Sequence, residues 1–460
     1  MQYCIHGHFY QPPREDPISN YIPDEIGAEP FNNWNERILS ECYAPNANVG
    51  NFTRISFNVG PTLFRWMENA HPEVYQSIIA QDHTNYERYQ VGNAIAQGYN
   101  HSILPLATKL DKITQIRWGI RDFEYRFGHT VGGLWLPETA VDTETLCVMS
   151  DQGLKFTILA PWQVTPEQGG TGPFLIDLPG NRPPFIVFTY DRSASTQISF
   201  VPNATSNGDA FLYNLAQNDS DKSEGLRLLA SDGELYGHHQ PFRDYFLTYI
   251  TDQGGERHGI CWTWPEKWLL ENQVTATAKL NDGTSWSCLH GVERWQGQCG
   301  CTPQAEWKQP MRYALDRLAE WIDSVYIDEL GTCLTDPWEL RHRYVDVMNH
   351  QMTVRELVEE LIGGGVDEHR LDQIDLLLKA QYERQRMYTS CGFYFDEFHR
   401  IEPQNNIAYA ANATWLTTKA TGRVVDPEIM DLFKLVRSNI TGLRADTVFS
   451  QTLLRAEAEA

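Results

Sequence analysis

Short, almost entirely apolar runs alternate with helix-like segments along the first three hundred residues, and this alternation restricts the fold more than any other feature of the chain. Such runs are typical of strands that are buried on both faces of a parallel sheet. Between two of them, residues 108–128 place apolar side chains at helical spacing and stop at a glycine. The alternation predicts an α/β fold, as a parallel barrel or a doubly wound sheet. The runs are YCIHGHF, RISFNV, GGLWLP, KFTILA, PFIVFTY, GLRLLA and GICWTW.

The apolar period changes to that of helices after the segment CGCTPQAEW. Residues 311–330, 353–365 and 371–388 each carry apolar side chains on one helical face, and the middle segment ends in three glycines. The pattern predicts an α/β domain over residues 1–305 and a helical bundle over residues 306–460. The final residues, LLRAEAEA, have the composition of a helix interior, which is typical of a frayed end or of a fragment of a longer protein.

The charge and the cysteines limit the class of protein. The 37 Lys and Arg residues against 60 Asp and Glu residues give a net charge of −23, so nucleic acid and anionic membranes are poor partners. The N-terminus lacks the basic and apolar regions of a signal peptide, and no apolar stretch is long enough to span a bilayer. Nine cysteines do not resemble a disulfide framework. We expect a cytoplasmic protein with reduced thiols; the sequence does not indicate its oligomeric state.

Polar side chains follow several of the predicted strands. His6 and His8 lie at the first strand, Glu138 follows GGLWLP, and Asp232 follows GLRLLA. Catalytic groups of α/β barrels project from the carboxyl ends of strands. A single carboxylate at such a position is often only a helix cap. Two carboxylates from different strands, with histidines and tryptophans nearby, predict cleavage of glycosidic bonds. Glu234 competes with Asp232 for the role of acid, and we favour Asp232, because it lies on a glycine-flanked turn where backbone groups can approach a ligand.

The histidines allow a second interpretation. His6 and His8 lie on one face of a strand and, with His238, His239 and Asp232, have the chemistry of a zinc or manganese site, as in a metal-dependent carbohydrate deacetylase or an α-mannosidase-like hydrolase. The same side chains also suit hydrogen bonds to sugar hydroxyls. In a third interpretation, some of these histidines are polar residues that lie under loops and form their hydrogen bonds within the protein.

A second possible metal site lies near residue 290. Four residues with zinc-ligand chemistry lie within fourteen positions, but their Cys-X-His and Cys-X-Cys spacings differ from the usual Cys-X2-Cys. We therefore expect free thiols rather than structural zinc, and no metal or cofactor for the protein. The four residues are Cys288, His290, Cys299 and Cys301.

Five ordered motifs resemble those of glycoside hydrolase family 57. The family includes α-amylases, 4-α-glucanotransferases, α-glucan branching enzymes and α-galactosidases, and the C-terminal third is similar to the helical region of one of its branches. The resemblance implies an incomplete (β/α)7 TIM-like barrel and a retaining mechanism with Glu138 as nucleophile and Asp232 as general acid/base. The motifs are HGHFYQP at 6–12, YNHSILP at 99–105, GLWLPE at 133–138, SDGELYGHH at 231–239 and GTSWSCLHG at 283–291.

The resemblance also implies a set of substrate-binding residues. The protein is then a retaining glycoside hydrolase or transglycosylase that acts on an oligo- or polysaccharide of α-linked glucose units, with amylase, 4-α-glucanotransferase or branching activity. A catalytically inactive carbohydrate-binding barrel is disfavoured, because both carboxylates are present. The predicted substrate-binding residues are His6, His8, Gln11, His101, Trp135, Glu234, His238, Trp286 and His290.

Overall fold

The computed structural model describes residues 1–217, 225–331, 334 and 336–459. The chain forms two compact units. The first comprises Met1–Gln11, Asp24–Gly98 and Phe123–Trp286, and the second comprises Pro12–Pro23, Tyr99–Asp122 and Ser287–Ala460. The units therefore differ from the predicted division after residue 305, since two N-terminal segments belong with the C-terminal helices.

The described strands all lie in the first unit. They are short because each crosses a sheet in which both faces are covered. They are β1 Gln2–Phe9, β2 Ser56–Val59, β3 Ala96–Gln97, β4 Leu134–Trp135, β5 Phe156–Leu159, β6 Val164–Pro166, β7 Phe174–Ile176, β8 Phe185–Thr189, β9 Leu226–Asp232 and β10 Ala278–Leu280.

Parallel pairing connects most of these strands. β1 pairs with β2 and β9, β3 pairs with β4, and β5 pairs with β8, all in parallel. Three parallel bridges link these groups, between Phe57 and Ala94, Gly133 and Phe156, and Tyr190 and Leu228. The pairing therefore passes from β1 through β2, β3, β4, β5, β8 and β9 and returns to β1. β7 pairs antiparallel with β8, and β10 with β6.

Six of the seven apolar runs lie in these strands, and the seventh prediction is wrong. The run GICWTW contributes a single parallel bridge, from Trp262 to Tyr3, before a helix starts at Pro265. Pro265 occupies the first helical turn, where its missing N–H costs nothing, and so the extended segment ends there. β3 was not predicted, because two residues are too few to show a period.

The helices of the first unit alternate with its strands along the chain. The helix α5 begins in a segment of the second unit and ends in the first. The predicted helix at residues 108–128 is present as α5, which ends before Gly128, a residue with a φ of +73°. These helices are α1 Trp34–Ile38, α2 Ala44–Asn48, α3 Pro61–Ala70, α4 Pro72–Tyr89, α5 Lys109–Phe127, α6 Thr143–Asp151, α7 Arg192–Phe200, α8 Gly208–Gln217, α9 Arg243–Thr251, α10 Gln253–Arg257 and α11 Pro265–Glu271.

The second unit is helical in its described part, as the sequence predicts, so the chain has an α/β fold with a helical C-terminal region. Its core packs Tyr99 and Trp118 against Tyr326, Leu340 and Leu378. None of the helices that the structure describes has the length and apolar character needed to cross a membrane. The remaining helices are α12 Lys308–Leu330, α13 Trp338–Met348, α14 Val354–Ile362, α15 Glu368–Arg386, α16 Cys391–Tyr394, α17 Ile401–Thr421, α18 Pro427–Phe433 and α19 Ala445–Ala458.

Candidate active site

The register of three parallel strands brings polar side chains into one row at their carboxyl ends. His8 of β1 is the register partner of Asp232 on β9 and of Asn58 on β2. His6 lies one pleat earlier, opposite Ser56. Because side chains two residues apart on a strand share a face, His6 and His8 project to the same side. The strands therefore place both predicted histidines and one predicted carboxylate at one end of the first unit.

Trp135 of β4 holds both imidazoles by stacking. The ring centroids of His6 and His8 each lie 4.9 Å from that of Trp135, at interplanar angles of 14° and 18°. Trp135 is fully buried, so its faces are occupied by protein rather than open to a sugar. Trp135 is predicted to bind substrate, whereas in the structure its ring stacks on the two imidazoles. Trp286 packs edge-on against Trp135, with 5.1 Å between ring centroids.

Asn58 joins the two histidines in one hydrogen-bond network. Its Oδ1 accepts from His6 Nε2 at 3.0 Å, and its Nδ2 lies 2.9 Å from His8 Nδ1 and 2.6 Å from Gln97 Oε1, to both of which it donates. His6 Nδ1 contacts Ser56 Oγ at 2.9 Å. Both ring nitrogens of His6 are thus engaged within the protein, in contrast to the prediction that His6 binds sugar hydroxyls.

Burial keeps these two imidazoles neutral. Loss of hydration lowers the pKa of His6 and of His8 to about 3, and the neighbouring His6 contributes to the shift at His8. Since His8 Nδ1 accepts a hydrogen bond from Asn58, its ring proton lies on Nε2. His8 is therefore a neutral hydrogen-bond donor beside Asp232.

Glu138 has a strained backbone. It lies in the 3-10 turn Pro137–Thr139 that follows β4, with φ +57° and ψ +19°, the left-handed region that non-glycine residues rarely adopt. Trp286 secures it twice, since its backbone N–H donates to the Glu138 carbonyl at 3.1 Å and its indole Nε1 donates to Oε2 at 3.1 Å. The strain and the two bonds fix the direction of the carboxylate.

Gln163 holds the next residue of the same turn. Thr139, with φ +49°, donates from Oγ1 to Gln163 Oε1 at 2.8 Å, and Gln163 Nε2 donates to the Thr139 carbonyl at 2.7 Å. Ala160 N–H also donates to Gln163 Oε1, at 2.8 Å. The amide of Gln163 therefore fastens the Glu138 turn to the end of β5.

Asp232 lies at the end of β9 and is exposed to solvent on one side. Partial loss of hydration, followed by the charge of Glu138, raises the pKa of Asp232 to about 7. The two carboxylates therefore interact electrostatically. Tyr190, at the end of β8, also interacts with Asp232, and its ring contacts Trp286 edge-on. The carboxyl group of Asp232 is therefore partly protonated near neutral pH.

Glu234 is enclosed by hydrogen bonds within the first unit. Its Oε1 accepts from Tyr43 Oη at 2.7 Å and from Tyr10 N–H at 3.0 Å, and the side chain is buried. Burial raises the pKa of Glu234 to about 8, so the group is neutral at pH 7. Through these hydrogen bonds, Glu234 connects β1 to the segment after β9. Its carboxyl group therefore has a structural role and is not an obvious sugar ligand.

The other predicted site residues are dispersed. His238 Nδ1 contacts Glu41 Oε2 at 2.5 Å, and Gln11 is half-buried after Tyr10. His101 and His290 belong to the second unit. His101 Nδ1 contacts Ser390 Oγ at 2.6 Å, and His290 lies among cysteines.

The arrangement of the histidines does not favour the metal-site interpretation. Both nitrogens of His6 are directed at Ser56 and Asn58, and Nδ1 of His238 is directed at Glu41. In the described part of the chain, the one group of three or more metal-ligating side chains with converging ligand atoms is Cys288, His290, Cys299 and Cys301.

Sequence reasoning missed the residues that organise the site. Asn58 and Tyr190 lie at the ends of apolar runs that were identified as strands, so a polar residue at a strand end was the available signal. Gln97 belongs to β3, which was not predicted. Nothing local marks Gln163, whose role depends on a turn 24 residues earlier in the chain.

Comparison with known proteins bears on both parts of the chain. Residues 3–252, just over half of the chain, match the family described as glycosyl hydrolase family 57. Residues 304–459 match a family described as a domain of unknown function, DUF3536.

The chain is similar to a curated relative and to solved structures. Alpha-amylase 1 of Dictyoglomus thermophilum is 25% identical over 180 residues, which are 38% of this chain and 24% of that protein, so the chain spans about a quarter of the length of the curated relative it matches. An exo-type maltose-forming amylase of Pyrococcus sp. ST04 has a TM-score of 0.76 at 16% identity, over 98% of this chain and 88% of that chain. A branching enzyme of Pyrococcus horikoshii has a TM-score of 0.63 at 14% identity, over 99% and 96%. These likenesses show a shared fold.

Proposed function

We propose that this chain, which belongs to glycosyl hydrolase family 57, cleaves or transfers α-linked glucan by double displacement. Glu138 is the nucleophile and Asp232 the general acid/base. The observation that carries the proposal is the electrostatic interaction between these carboxylates, one of which has a pKa raised to about 7. Retaining glycosidases need such an unequal pair: a charged nucleophile and a partner that holds a proton.

In the first step Glu138 attacks the anomeric carbon while Asp232 gives its proton to the departing glycosidic oxygen. The products are a glycosyl ester on Glu138 and a released sugar. Esterification removes the charge of Glu138, which is one of the two causes of the raised Asp232 pKa. Asp232 then becomes a stronger acid, and its carboxylate takes the proton from water, or from a sugar hydroxyl when the reaction is a transfer. The oxygen of that acceptor attacks the anomeric carbon and breaks the ester bond, which releases Glu138 as a carboxylate. The pair therefore reverses its roles between the two steps.

The surrounding residues position these groups. Trp286 and the strained turn direct Glu138, and Gln163 holds that turn. His8 supplies a neutral N–H donor beside Asp232, which suits a sugar hydroxyl and does not add positive charge that would lower the Asp232 pKa. His6 and Trp135 support His8 by hydrogen bonding and stacking. The proposed sugar ligands in the first unit are thus His8 and Trp286.

We infer that the parallel strands form an incomplete (β/α)7 barrel. The return of parallel pairing from β9 to β1 supports this architecture. The glucan substrate is supported by the relatives, whose names refer to amylase, maltose-forming and branching activities. The eight described cysteines form no disulfide, which supports the cytoplasm, a reducing compartment, as its location.

The test is incubation of the whole chain with maltooligosaccharides, with the products resolved by chromatography and the new anomeric centre followed by proton NMR. We expect shorter or rearranged α-glucans, with retained configuration. Glu138→Gln should lose at least about 1,000-fold in kcat/KM, since no nucleophile is left. Glu144→Gln, an exposed glutamate on α6, is the matched control and should keep wild-type activity. Inverted product, or an active Glu138→Gln variant, contradicts the mechanism, and inactivity toward every α-glucan contradicts the substrate.

A further inference from the structure

Four side chains that can bind a metal ion converge in the second unit. None of them has a role in the proposed chemistry. Their ligand atoms, three sulfurs and one imidazole nitrogen, all lie within 4.8 Å of one another. We infer that they bind a structural zinc ion, with all four coordination positions filled by protein. The four ligands are Cys288, His290, Cys299 and Cys301.

Two tight turns bring the four side chains together, although their Cys-X-His and Cys-X-Cys spacings are unusual for a zinc site. Gly291 N–H donates to the Cys288 carbonyl at 3.2 Å, which turns the chain at His290. Thr302 N–H donates to the Cys299 carbonyl at 2.9 Å, which closes a second turn around Cys301. Between the turns runs a 3-10 helix, Glu293–Trp295. Each turn contributes two ligands, as the two loops of a zinc knuckle do, although one residue separates the ligands instead of two.

The distances fit a tetrahedral zinc centre. With zinc–sulfur bonds of about 2.3 Å and zinc–nitrogen bonds of about 2.0–2.1 Å, a tetrahedron has sulfur–nitrogen edges of about 3.6 Å. His290 Nδ1 lies 3.5 Å from Cys301 Sγ and 4.0 Å from Cys288 Sγ. Both distances require shifts of only a few tenths of an ångström. Three thiolates with one imidazole favour zinc over harder cations such as Mg²⁺ or Ca²⁺.

The surroundings suit the charge of the centre. Three thiolates and one Zn²⁺ ion sum to −1, and two cations lie beside them. The Arg294 guanidinium interacts electrostatically with Cys301. Lys308 Nζ donates at 3.1 Å to Thr302 Oγ1 and at 3.1 Å to the Arg294 carbonyl. Such partners orient the ligands and balance their charge.

Gly300, between two of the cysteines, leaves room for the imidazole. A Cβ atom there would lie 2.8 Å from His290 Cε1 and 3.0 Å from Nε2. Any larger residue would push His290 away from Cys301. A free-thiol segment has no need of this close approach, whereas a shared ion requires it.

The experiment measures metal in the full-length chain. The protein is produced in zinc-supplemented medium, and its zinc is determined by plasma mass spectrometry. We expect about one zinc per chain. Exchange for Co²⁺ should give the thiolate-to-cobalt charge-transfer band and the intense visible bands of tetrahedral cobalt. A wild-type protein with substoichiometric zinc and no thiolate band overturns the inference, whether or not any variant folds.

Variants then locate the ion. Cys301→Ser and His290→Ala should lose zinc, and Gly300→Ala should weaken its retention against a competing chelator. Cys261→Ser, at an exposed free cysteine of the first unit, is the control and should keep the metal. His8→Ala should also keep it, because the candidate active site is not where the ion is bound. Zinc that persists in Cys301→Ser, or that is lost in His8→Ala, refutes the assignment.

Discussion

Two acidic side chains that lie close together in the sequence have different proposed roles. Asp232 and Glu234 are two residues apart, and the pKa of each is raised above that of an ordinary carboxyl group. Asp232 meets the charge of Glu138 and is open to solvent, whereas Glu234 is enclosed by Tyr43 and Tyr10. Exposure to substrate, and not acidity, therefore distinguishes the proposed proton donor from its neighbour.

Removal of the proposed acid should depend on the leaving group. Asp232→Ala should lose far more kcat/KM on maltooligosaccharides than on an activated aryl α-glycoside, because an aryl oxide leaves with little protonation. Azide should accelerate turnover of this variant, since a small anion attacks the glycosyl ester without a general base. The expected product is the glycosyl azide of retained configuration, identified by NMR.

The control for this prediction is Glu234→Gln, which can keep the hydrogen bonds from Tyr43 and Tyr10. It should keep the wild-type ratio between the two substrates. If Asp232→Ala loses equally on both substrates while Glu234→Gln shows the leaving-group dependence, Glu234 is the acid.

The indole of Trp286 should act mainly on kcat. Trp286→Phe removes the hydrogen bond to Glu138 Oε2 and keeps an aromatic ring beside Trp135. A hydrogen bond to a charged group is worth about 1.5–3 kcal/mol, so we expect about a 10- to 100-fold fall in kcat with a smaller change in KM. Trp262→Phe, which removes an indole bond to the Ile250 carbonyl, is the matched control. A change confined to KM would assign Trp286 to substrate binding alone.

The strand ends and their turns are the elements that build the candidate site. β1, β2 and β9 align His8, Asn58 and Asp232 through parallel register. The turns after β4 and β9 then set the directions of the two carboxylates. Because a strand of two residues cannot hold a turn alone, the Glu138 turn depends on Gln163 and Trp286 from other segments.

The turn after β9 tolerates no side chain at Gly233. A Cβ atom there would lie 2.3 Å from the ring of Phe9, which is itself packed against Phe52 and cannot withdraw. Gly233→Ala should lower the free energy of unfolding by about 1–3 kcal/mol and displace Asp232, so that kcat/KM also falls. Gly364→Ala, where a Cβ meets open space, is the control. Equal stability of the two variants in urea unfolding would contradict the packing argument.

The molecule as a whole is assembled from interleaved segments. The second unit takes residues 12–23 and 99–122 from the N-terminal part of the chain. Asp111 from this part lies 3.2 Å from Arg341 and 2.8 Å from Arg384, and all three side chains are buried. A buried guanidinium is costly unless it is paired. The helices after residue 305 therefore lack part of their own core when separated.

Residues 306–460 alone should fail to fold cooperatively, with no sigmoidal thermal transition by circular dichroism. In the full-length chain, Asp111→Asn should lower the free energy of unfolding by about 3–5 kcal/mol, since the buried Arg341 loses its ion-pair partner and the buried Arg384 keeps only Asp323. Asp375→Asn, which breaks the surface pair with Lys379 on α15, should cost about 0.5 kcal/mol or less. A cooperatively folded 306–460 fragment would show that the helices form an independent domain.

The sequence was sufficient for features that repeat over short distances. Apolar runs located six of the strands, and helical spacing located α5, α12, α14 and α15, because burial imposes a local period on the chain. The ordered motifs indicated the family, and the strand-end rule selected Glu138 and Asp232 as the proposed catalytic pair.

The tertiary structure decided which side chains meet. Trp286 reaches Glu138 across 148 positions, and both nitrogens of His6 are directed at β2. His290 lies among three cysteines and not in the first unit. No local pattern encodes these contacts, because they depend on register between strands and on turns whose geometry is set by distant partners. Chain order indicates which chemical groups are present, and packing determines which of them share a site.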